Sequence, residues 1–277
     1  MDIGLLINGE SVGAASGVRY VRNDPFTGKP ATTAAAAGVA DVNRAIETAA
    51  AAFPMWSKTG PGQRRAILNK AAEVMEAKAP EFIRLGLEEI GMTAPWIGFN
   101  VMLAANMLRE AAAMTTQISG EVIPSDKPGT LALAIRQPAG VCVGMAPWNA
   151  PVILGTRAIA MPLACGNTVV FKASEASPGV HRVIGQVLAE AGLPAGVLNV
   201  ITNDSKDATK VVEALIAHPA VRRVNFTGST RVGRIIAELA GRHLKPLLLE
   251  LGGKAPLLVL DAPTSTARST PRFSVRS

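Results

Sequence analysis

The sequence predicts an α/β protein built on a doubly wound parallel sheet, with a mostly helical part before it. From about residue 130 onward, short β-rich apolar runs alternate with helical patterns, which is typical of parallel strands joined by right-handed crossovers. Before that point, apolar residues recur mainly at helical spacing. The 277 residues suffice for one large domain or two small ones.

Composition excludes several classes of protein. Apolar residues make up 48% of the chain and charged residues 18%, which excludes a disordered chain. The two cysteines, Cys142 and Cys165, provide no disulfide framework and no metal cluster, so no metal site is predicted. The most apolar helical stretch, residues 97–117, contains Arg109 and Glu110, and the first residues lack the basic start of a signal peptide. We therefore expect a cytoplasmic protein with no membrane partner.

The formal net charge of +7 is partly a local feature. Residues 262–277 contain three arginines and no acid, which raises the charge without creating a basic surface on the core. The chain also lacks basic stripes with interleaved aromatic residues, and Tyr20 is its single tyrosine. The sequence therefore predicts no nucleic-acid partner.

The N-terminal part, residues 1–129, is predicted to begin with a hairpin and to continue as helices. Residues 5–20 have a hairpin pattern with Asn8-Gly9 as its turn, and residues 24–28 form another turn. Amphipathic periodicity then predicts helices at residues 41–53, 61–77, 80–90 and 96–117.

The core, residues 130–261, is predicted to contain the parallel sheet. Strands are predicted at residues 131–135, 141–145, 168–172, 197–201, 223–226, 247–250 and 256–260. Helices are predicted at residues 152–164, 178–191, 206–217 and 230–240. In such folds, the crevice beyond the carboxyl ends of the strands binds nucleotides, so polar residues at those ends are candidate functional residues.

Asn149 follows the strand at residues 141–145 and directly precedes a predicted helix. Its side-chain amide is a donor that could stabilise an oxyanion during acyl or hemiacetal chemistry. Asparagine before a proline such as Pro151 is also a common helix cap, and this second interpretation stays open.

Lys172 and Glu175 follow the next strand. A cation and a carboxylate at this spacing can hold the hydroxyls of a ribose, and a solvated strand end would look the same. Further along, Gly228 and Gly233 flank Ser229 at a predicted helix start, where backbone amides attract a phosphate.

Glu250 ends an apolar strand and precedes two glycines. Burial would raise the pKa of this carboxyl and suit it to general-base chemistry, whereas a Glu exposed at a strand end is the plain alternative. The histidines show no spacing that pairs them with a catalytic partner, so surface or capping roles are expected for His181, His218 and His243.

In order along the chain, four segments resemble the NAD(P)-dependent aldehyde dehydrogenase superfamily: residues 147–149, 172–175, 226–233 and 250–254. The resemblance extends from Leu5 to Leu260 and implies a Rossmann-like NAD-binding domain. It further implies the following roles: Asn149 as oxyanion-hole donor, Lys172 and Glu175 on the adenosine ribose, Gly228, Ser229 and Gly233 at the pyrophosphate, and Glu250 as general base. A carboxylate on the ribose implies NAD over NADP, because a 2′-phosphate would meet a negative charge.

Within the superfamily, residues 148–155 are similar to bacterial dehydrogenases of aromatic aldehydes, such as salicylaldehyde and vanillin dehydrogenases. Arg157 is the single charge in its predicted helix. We hypothesise that Arg157 and Trp96 face the substrate tunnel, as a polar contact and an aromatic wall for a substituted ring. An arginine that extends to the surface is the alternative.

The family's nucleophilic cysteine follows the segment at residues 250–254 by a few tens of residues, in a separate catalytic domain that is missing from this sequence. Neither Cys142 nor Cys165 matches that position. The resemblance therefore predicts an aldehyde dehydrogenase fragment without useful turnover. A non-catalytic NAD-binding or subunit-interaction module is the alternative function, and family members are homo-oligomers.

Residues 262–277 have neither helical nor strand periodicity, and a disordered tail is the simple interpretation. Codons allowed for residues 261–277 can be read in the neighbouring frame as Ala-Asp-Leu-Asp, then Ala-Val-Asn-Ala-Ala and Phe-Gly-Ala-Phe. That reading resembles the acidic helix that the family carries after this strand. We therefore hypothesise a frameshifted or interrupted gene. A stop codon in that frame of the DNA would contradict it.

Overall fold

The computed structural model describes residues 1–256. The predicted tail at residues 262–277, and all but the first residue of the predicted strand at residues 256–260, lie outside the described residues. Both therefore stay predictions, and so does the frameshift.

A seven-stranded sheet forms the centre of the described chain, in the order β12-β11-β8-β9-β10-β2-β3. Its parallel strands are β8 (Val141–Met145), β9 (Thr168–Lys172), β10 (Leu198–Ile201), β11 (Val221–Gly228) and β12 (Leu247–Leu251). The predicted α/β class with a doubly wound sheet is confirmed. Since β8 has β11 on one side and β9 on the other, the strand order reverses beside β8, where such folds form a crevice.

The predicted N-terminal hairpin is present and extends this sheet. β2 (Leu5–Ile7) and β3 (Glu10–Val12) pair antiparallel, and Asn8 and Gly9 between them have φ values of 56° and 78°. Positive φ at both turn positions is the geometry that Asn-Gly adopts readily. Because β2 lies antiparallel to β10, the sheet is mixed at this edge and not parallel throughout.

Helices cover the sheet in two layers, which explains where the helical N-terminal part packs. α1 (Val39–Trp56), α7 (Ala208–Ala217) and α8 (Thr230–Arg242) share one apolar core with one face of the sheet. The other core contains α2 (Pro61–Ala77), α3 (Ala79–Ile90), α4 (Ala94–Met114), α5 (Pro151–Ala164) and α6 (Pro178–Glu190). A 3-10 turn at Ser205–Asp207 occupies the start of the helix predicted at residue 206.

Two smaller sheets were only partly predicted. β1 (Asp2–Ile3), β4 (Arg19–Asn23) and β5 (Pro30–Ala35) form one of them. The hairpin predicted at residues 5–20 ends at Val12, and no strand was predicted at residues 2–3 or 30–35. The strand predicted at residues 131–135 exists as β7 (Ala132–Ala134), but it pairs with β6 (Glu121–Ile123) and not with the central sheet. Strand propensity indicates that a segment is extended but does not select its partner.

Within residues 1–256, no helix is both long and apolar enough to cross a bilayer. The cytoplasmic location stays a prediction.

Candidate active site

A cavity of about 600 Å³ opens at the carboxyl ends of the parallel strands. Lys172 and Glu175 line it from β9 and the loop that follows, and Gly228 lines it from the end of β11. α7 and α8 supply apolar walls, among them Val212 and Val232. Three of the predicted cofactor-binding residues therefore share one cleft.

Lys172 and Glu175 form an ion pair inside this cleft. Lys172 Nζ donates to Glu175 Oε1 at 2.6 Å, and the two side chains are 9% and 29% exposed. Asn203, which follows β10, donates its Nδ2 to the same carboxylate at 3.2 Å. Burial opposes ionisation of Glu175, but the charge and hydrogen bond of Lys172 outweigh it and lower the pKa of that carboxyl.

The N-terminus of α8 lies beside the same cavity. Ser229 is the N-cap residue, and its hydroxyl oxygen accepts the Val232 N–H at 3.3 Å. Gly233 is buried one turn later, where a Cβ would lie 2.6 Å from Leu251 Cδ2. The structure thus gives Gly233 a packing contact between α8 and β12, and its direct contact with a cofactor stays a prediction.

Asn149 does not cap α5. The N-cap residue is Ala150, and no side chain makes a capping hydrogen bond there. Asn149 is exposed, and its main-chain oxygen accepts the Trp96 Nε1–H at 3.1 Å. The capping interpretation is therefore wrong, because the Asn149 side-chain amide makes no capping hydrogen bond to α5.

Glu250 lies at the same end of the sheet as Asn149. It pairs in register with Thr227, one step beyond the pair of Phe226 with Met145 at the end of β8. Glu250 is exposed, so the expectation of a buried carboxyl is not met, and its plain alternative, a glutamate exposed near a strand end, describes this residue.

Arg157 lines a groove of about 500 Å³ together with Glu250, between α5 and the strands β11 and β12. The arginine is half-buried, and its guanidinium donates to Thr227 Oγ1 at 3.2 Å, so its role toward a substrate stays a prediction. Trp96 is 43% exposed and lines neither of these two cavities. Trp96 thus contacts Asn149, and Arg157 lines the same groove as Glu250.

Both thiols are poorly placed for nucleophilic chemistry. Burial raises the pKa of Cys142, in the middle of the sheet, to about 12. Burial also raises the pKa of Cys165, at the C-terminus of α5. Thiolates are the reactive form, so neither side chain is an activated nucleophile at neutral pH.

Sequence reasoning missed two residues of this site. Asn203 follows a parallel strand as Lys172 does, and that shared position could have identified it. His181 was expected at a surface or cap but is fully buried on α6, where it bonds to the loop after β9 and to the first residue of α5. His218 does have a local role, since its Nδ1 accepts the Ala220 N–H.

The sheet is doubly wound, and its cleft lies where the strand order reverses, between the walls formed by α7 and α8 and beside the capped N-terminus of α8. These features define the class of Rossmann-like nucleotide-binding domains. The chain belongs to the aldehyde dehydrogenase family: the model of that family matches residues 13–267.

Relatives place the chain near dehydrogenases of aromatic aldehydes. It is 63% identical to a vanillin dehydrogenase of Pseudomonas fluorescens over 261 residues, which cover 94% of this chain and 54% of that protein. It is 49% identical to a salicylaldehyde dehydrogenase of Pseudomonas putida, with the same coverage. The crystal structure of a salicylaldehyde dehydrogenase from Pseudomonas putida G7, complexed with salicylaldehyde, superposes with a TM-score of 0.90 at 48% identity, covering 92% of this chain and 53% of that one. The chain spans about half the length of these relatives.

Proposed function

We propose that this chain is the NAD-binding half of an aldehyde dehydrogenase that oxidises an aromatic aldehyde to the carboxylic acid. The observation that carries the proposal is the partly buried Lys172–Glu175 ion pair in the cleft at the carboxyl ends of the strands. The loop of Asn149 and the strand position of Glu250 lie at that same end of the sheet, and Glu250 lines the neighbouring groove.

The residues of the cleft fit a dinucleotide. Lys172 and Glu175 would hold the adenosine ribose, and the N-terminus of α8 at Ser229, with Gly228 before it, would bind the pyrophosphate. Val212 and Val232 would flank the adenine. A carboxylate at the ribose favours NAD over NADP, because a 2′-phosphate would be repelled. When bound, NAD supplies the hydride acceptor.

The chain's own residues would contribute to two steps of aldehyde oxidation, the stabilisation of the oxyanion and the activation of water. The Asn149 amide would donate a hydrogen bond to the carbonyl oxygen as negative charge develops on it. Glu250 would accept a proton from the water that hydrolyses the acyl intermediate. Arg157 beside Glu250 and Trp96 beside Asn149 would contact the substituted ring.

The polypeptide by itself is proposed to have no useful turnover. Aldehyde oxidation by this family requires a thiolate to add to the carbonyl, and burial, complete for Cys142 and partial for Cys165, raises the pKa of both of the chain's cysteines. The same observation favours the second candidate function, a non-catalytic NAD-binding or subunit-interaction module.

Calorimetric titration of the full chain with NAD and with NADP tests the cofactor assignment. We expect NAD to bind and NADP to bind more weakly, and we expect Glu175→Gln to reduce that preference. Glu47→Gln, on the exposed face of α1, is the matched control and should bind as the wild type does. Equal affinity for NAD and NADP in the wild type would contradict the assignment of NAD.

Incubation with NAD and vanillin, salicylaldehyde or benzaldehyde tests the turnover. Absence of NADH formation alongside NAD binding is expected, whereas formation of NADH would overturn the inactivity proposal. In an enzyme that carries both halves of the family fold, Arg157→Ala should remove the preference among ring substituents while NAD affinity is unchanged. Unchanged kinetics would exclude Arg157 from the substrate site.

A further inference from the structure

His181 is a buried side chain that bonds to the loop after β9 and to the first residue of α5. Its Nδ1 accepts the main-chain N–H of Ser174 at 2.9 Å, and its Nε2 lies 3.1 Å from the main-chain oxygen of Pro151. The residue is 0% exposed, and its ring contacts the ring of Phe171 with centroids 5.0 Å apart. No other histidine within residues 1–256 is buried.

The two partners determine the protonation of the ring. The Ser174 N–H can only donate, so Nδ1 carries no proton, and the Pro151 oxygen can only accept, so Nε2 carries one. This arrangement requires a neutral imidazole. Burial, with a smaller effect from the Lys172 charge, lowers the pKa of His181 to about 3, against the Pro151 hydrogen bond and the Glu175 charge that favour protonation.

These two bonds reach the segments that carry Lys172, Glu175 and Asn149. Ser174 lies between Lys172 and Glu175 in the loop after β9, and Pro151 is the first residue of α5, two residues beyond Asn149 at the end of the loop that follows β8. Gly155 on α5 leaves room for the ring, since a Cβ there would lie 3.3 Å from His181 Cδ2 and 2.6 Å from Ile184 Cδ1. The close approach of α5 and α6 therefore depends on this glycine.

We propose that His181 is a positioning residue that joins the ion-pair loop of Lys172 and Glu175 to the loop of Asn149, and so holds the cofactor contacts and the amide donor in a fixed relation. The inference rests on the proposed function, because the ion pair matters here as a cofactor contact. A neutral histidine suits the task, since a small rigid ring offers one acceptor and one donor on different edges.

Two near-isosteric variants separate the two hydrogen bonds. Asparagine places an oxygen near the position of Nδ1, so His181→Asn keeps the acceptor for Ser174 and loses the bond to Pro151. Glutamine places an amide NH₂ near Nε2, so His181→Gln keeps the bond to Pro151 and loses that to Ser174. His181→Leu loses both.

Hydrogen exchange followed by mass spectrometry should show faster exchange in the 173–177 peptide for the Gln and Leu variants, but not for the Asn variant. Unchanged exchange in both Gln and Leu variants would overturn the proposal.

The NAD dissociation constant is the functional readout. We expect an increase of about tenfold for Gln and Leu, the fold-change that corresponds to one lost buried hydrogen bond, and less than about twofold for Asn. Val187→Ala, at a buried position further along α6, is the matched control: it should lower the melting temperature without changing NAD affinity in the folded protein. If all three His181 variants bind like wild type, His181 does not position the cofactor loop.

Nitrogen-15 NMR of the wild-type chain needs neither a variant nor NAD. The His181 ring should show an unprotonated Nδ1 and a protonated Nε2 and should keep that state from neutral pH down to about pH 5. Titration of this ring near the usual histidine pKa would overturn the proposal. If the wild type fails to bind NAD, the proposed function fails, while the NMR and exchange results still decide whether His181 joins the two loops.

Discussion

Glu175 and Glu250 lie near the carboxyl ends of parallel strands, at the same end of the sheet, yet Glu175 is partly buried and Glu250 is exposed. Glu175 is partly buried, bonded to Lys172 and Asn203, and its pKa is lowered because these partners outweigh the effect of burial. Glu250 is exposed, and within residues 1–256 no ion pair involves it. The proposed cofactor side of the site is thus fixed by contacts inside the chain, whereas Glu250, on the proposed aldehyde side, is open to solvent.

The strands beneath these residues show the same contrast. β8 and β9 are buried at every position because helices cover both faces. β12 is as apolar in sequence, but its residues alternate between half-buried and exposed, and Leu248 is 63% exposed. An apolar strand therefore has a fixed environment only where the chain supplies cover on both faces.

The largest expected effect separates the centre of the sheet from its edge. Phe171→Ala should lower the free energy of unfolding by about 3–5 kcal/mol, because the ring is fully buried and its removal leaves a cavity against His181 and Gly155. Leu248→Ala is the control on β12 and should cost about 0.5 kcal/mol or less. Urea denaturation followed by circular dichroism measures both. Similar losses in the two variants would abolish the distinction between centre and edge.

Breaking the ion pair should distinguish the two carboxylates. Lys172→Met should lower the free energy of unfolding by about 2–3 kcal/mol at neutral pH, less than for a fully buried pair because Glu175 keeps some contact with water. The pKa of Glu175 is lower in the folded chain, so the pair stabilises above the usual glutamate pKa, and its contribution is lost as pH falls. The cost of Lys172→Met should therefore shrink in acid.

Glu250→Gln is the matched control for the ion pair. It should change the free energy of unfolding by less than about 0.5 kcal/mol at any pH between 4 and 8, since Glu250 is exposed. A pH-independent cost of Lys172→Met, or a large cost of Glu250→Gln, would contradict the comparison.

Two buried groups should give opposing pH dependences. The pKa of His181 is lowered by burial to about 3, so its contribution is complete above the usual histidine pKa and is lost as pH falls toward 3. Burial raises the pKa of Glu89 to about 7, so its contribution is complete below the usual glutamate pKa and is lost as pH rises through 7. Each can change the unfolding free energy by about 1.4 kcal/mol per pH unit at most, and the two nearly cancel between about pH 5 and 6.5.

Single variants remove this cancellation. Stability of Glu89→Gln should decrease as pH falls from 6.5 to 5, and stability of His181→Asn should decrease as pH rises over the same interval. Denaturation midpoints across that interval provide the measurement. Parallel pH profiles for the two variants would mean that at least one of these groups is not buried in the stated charge state.

The smallest effect concerns the two predicted loop residues. Ser229→Ala should cost about 1 kcal/mol, because the Ser229 hydroxyl caps α8. Asn149→Ala should leave the unfolding free energy nearly unchanged, since Asn149 makes no capping bond to α5. Thermal denaturation of both variants is sufficient. A cost for Asn149→Ala equal to that for Ser229→Ala would restore the capping interpretation.

The sequence located the loops that carry the site with good accuracy. Apolar runs broken by polar residues predicted that Asn149, Lys172 and Glu250 lie near strand ends. Because the strands are parallel, their carboxyl ends lie at the same end of the sheet. The pairing of β7 with β6 and the antiparallel edge at β2 were not predicted, because local pattern gives a strand but not its neighbour.

Sequence by itself therefore determined the family, the alternation of strands and helices in the central sheet and the residue types at the strand ends, since these depend on local periodicity and on motifs read in order. Only the tertiary structure decided which of these residues are buried with hydrogen-bond partners and which are exposed. Glu175 meets Asn203 across 28 residues, and Ser174 meets a histidine turned inward from α6. Burial and hydrogen-bond partners come from packing between distant segments, and local sequence does not encode which segments meet.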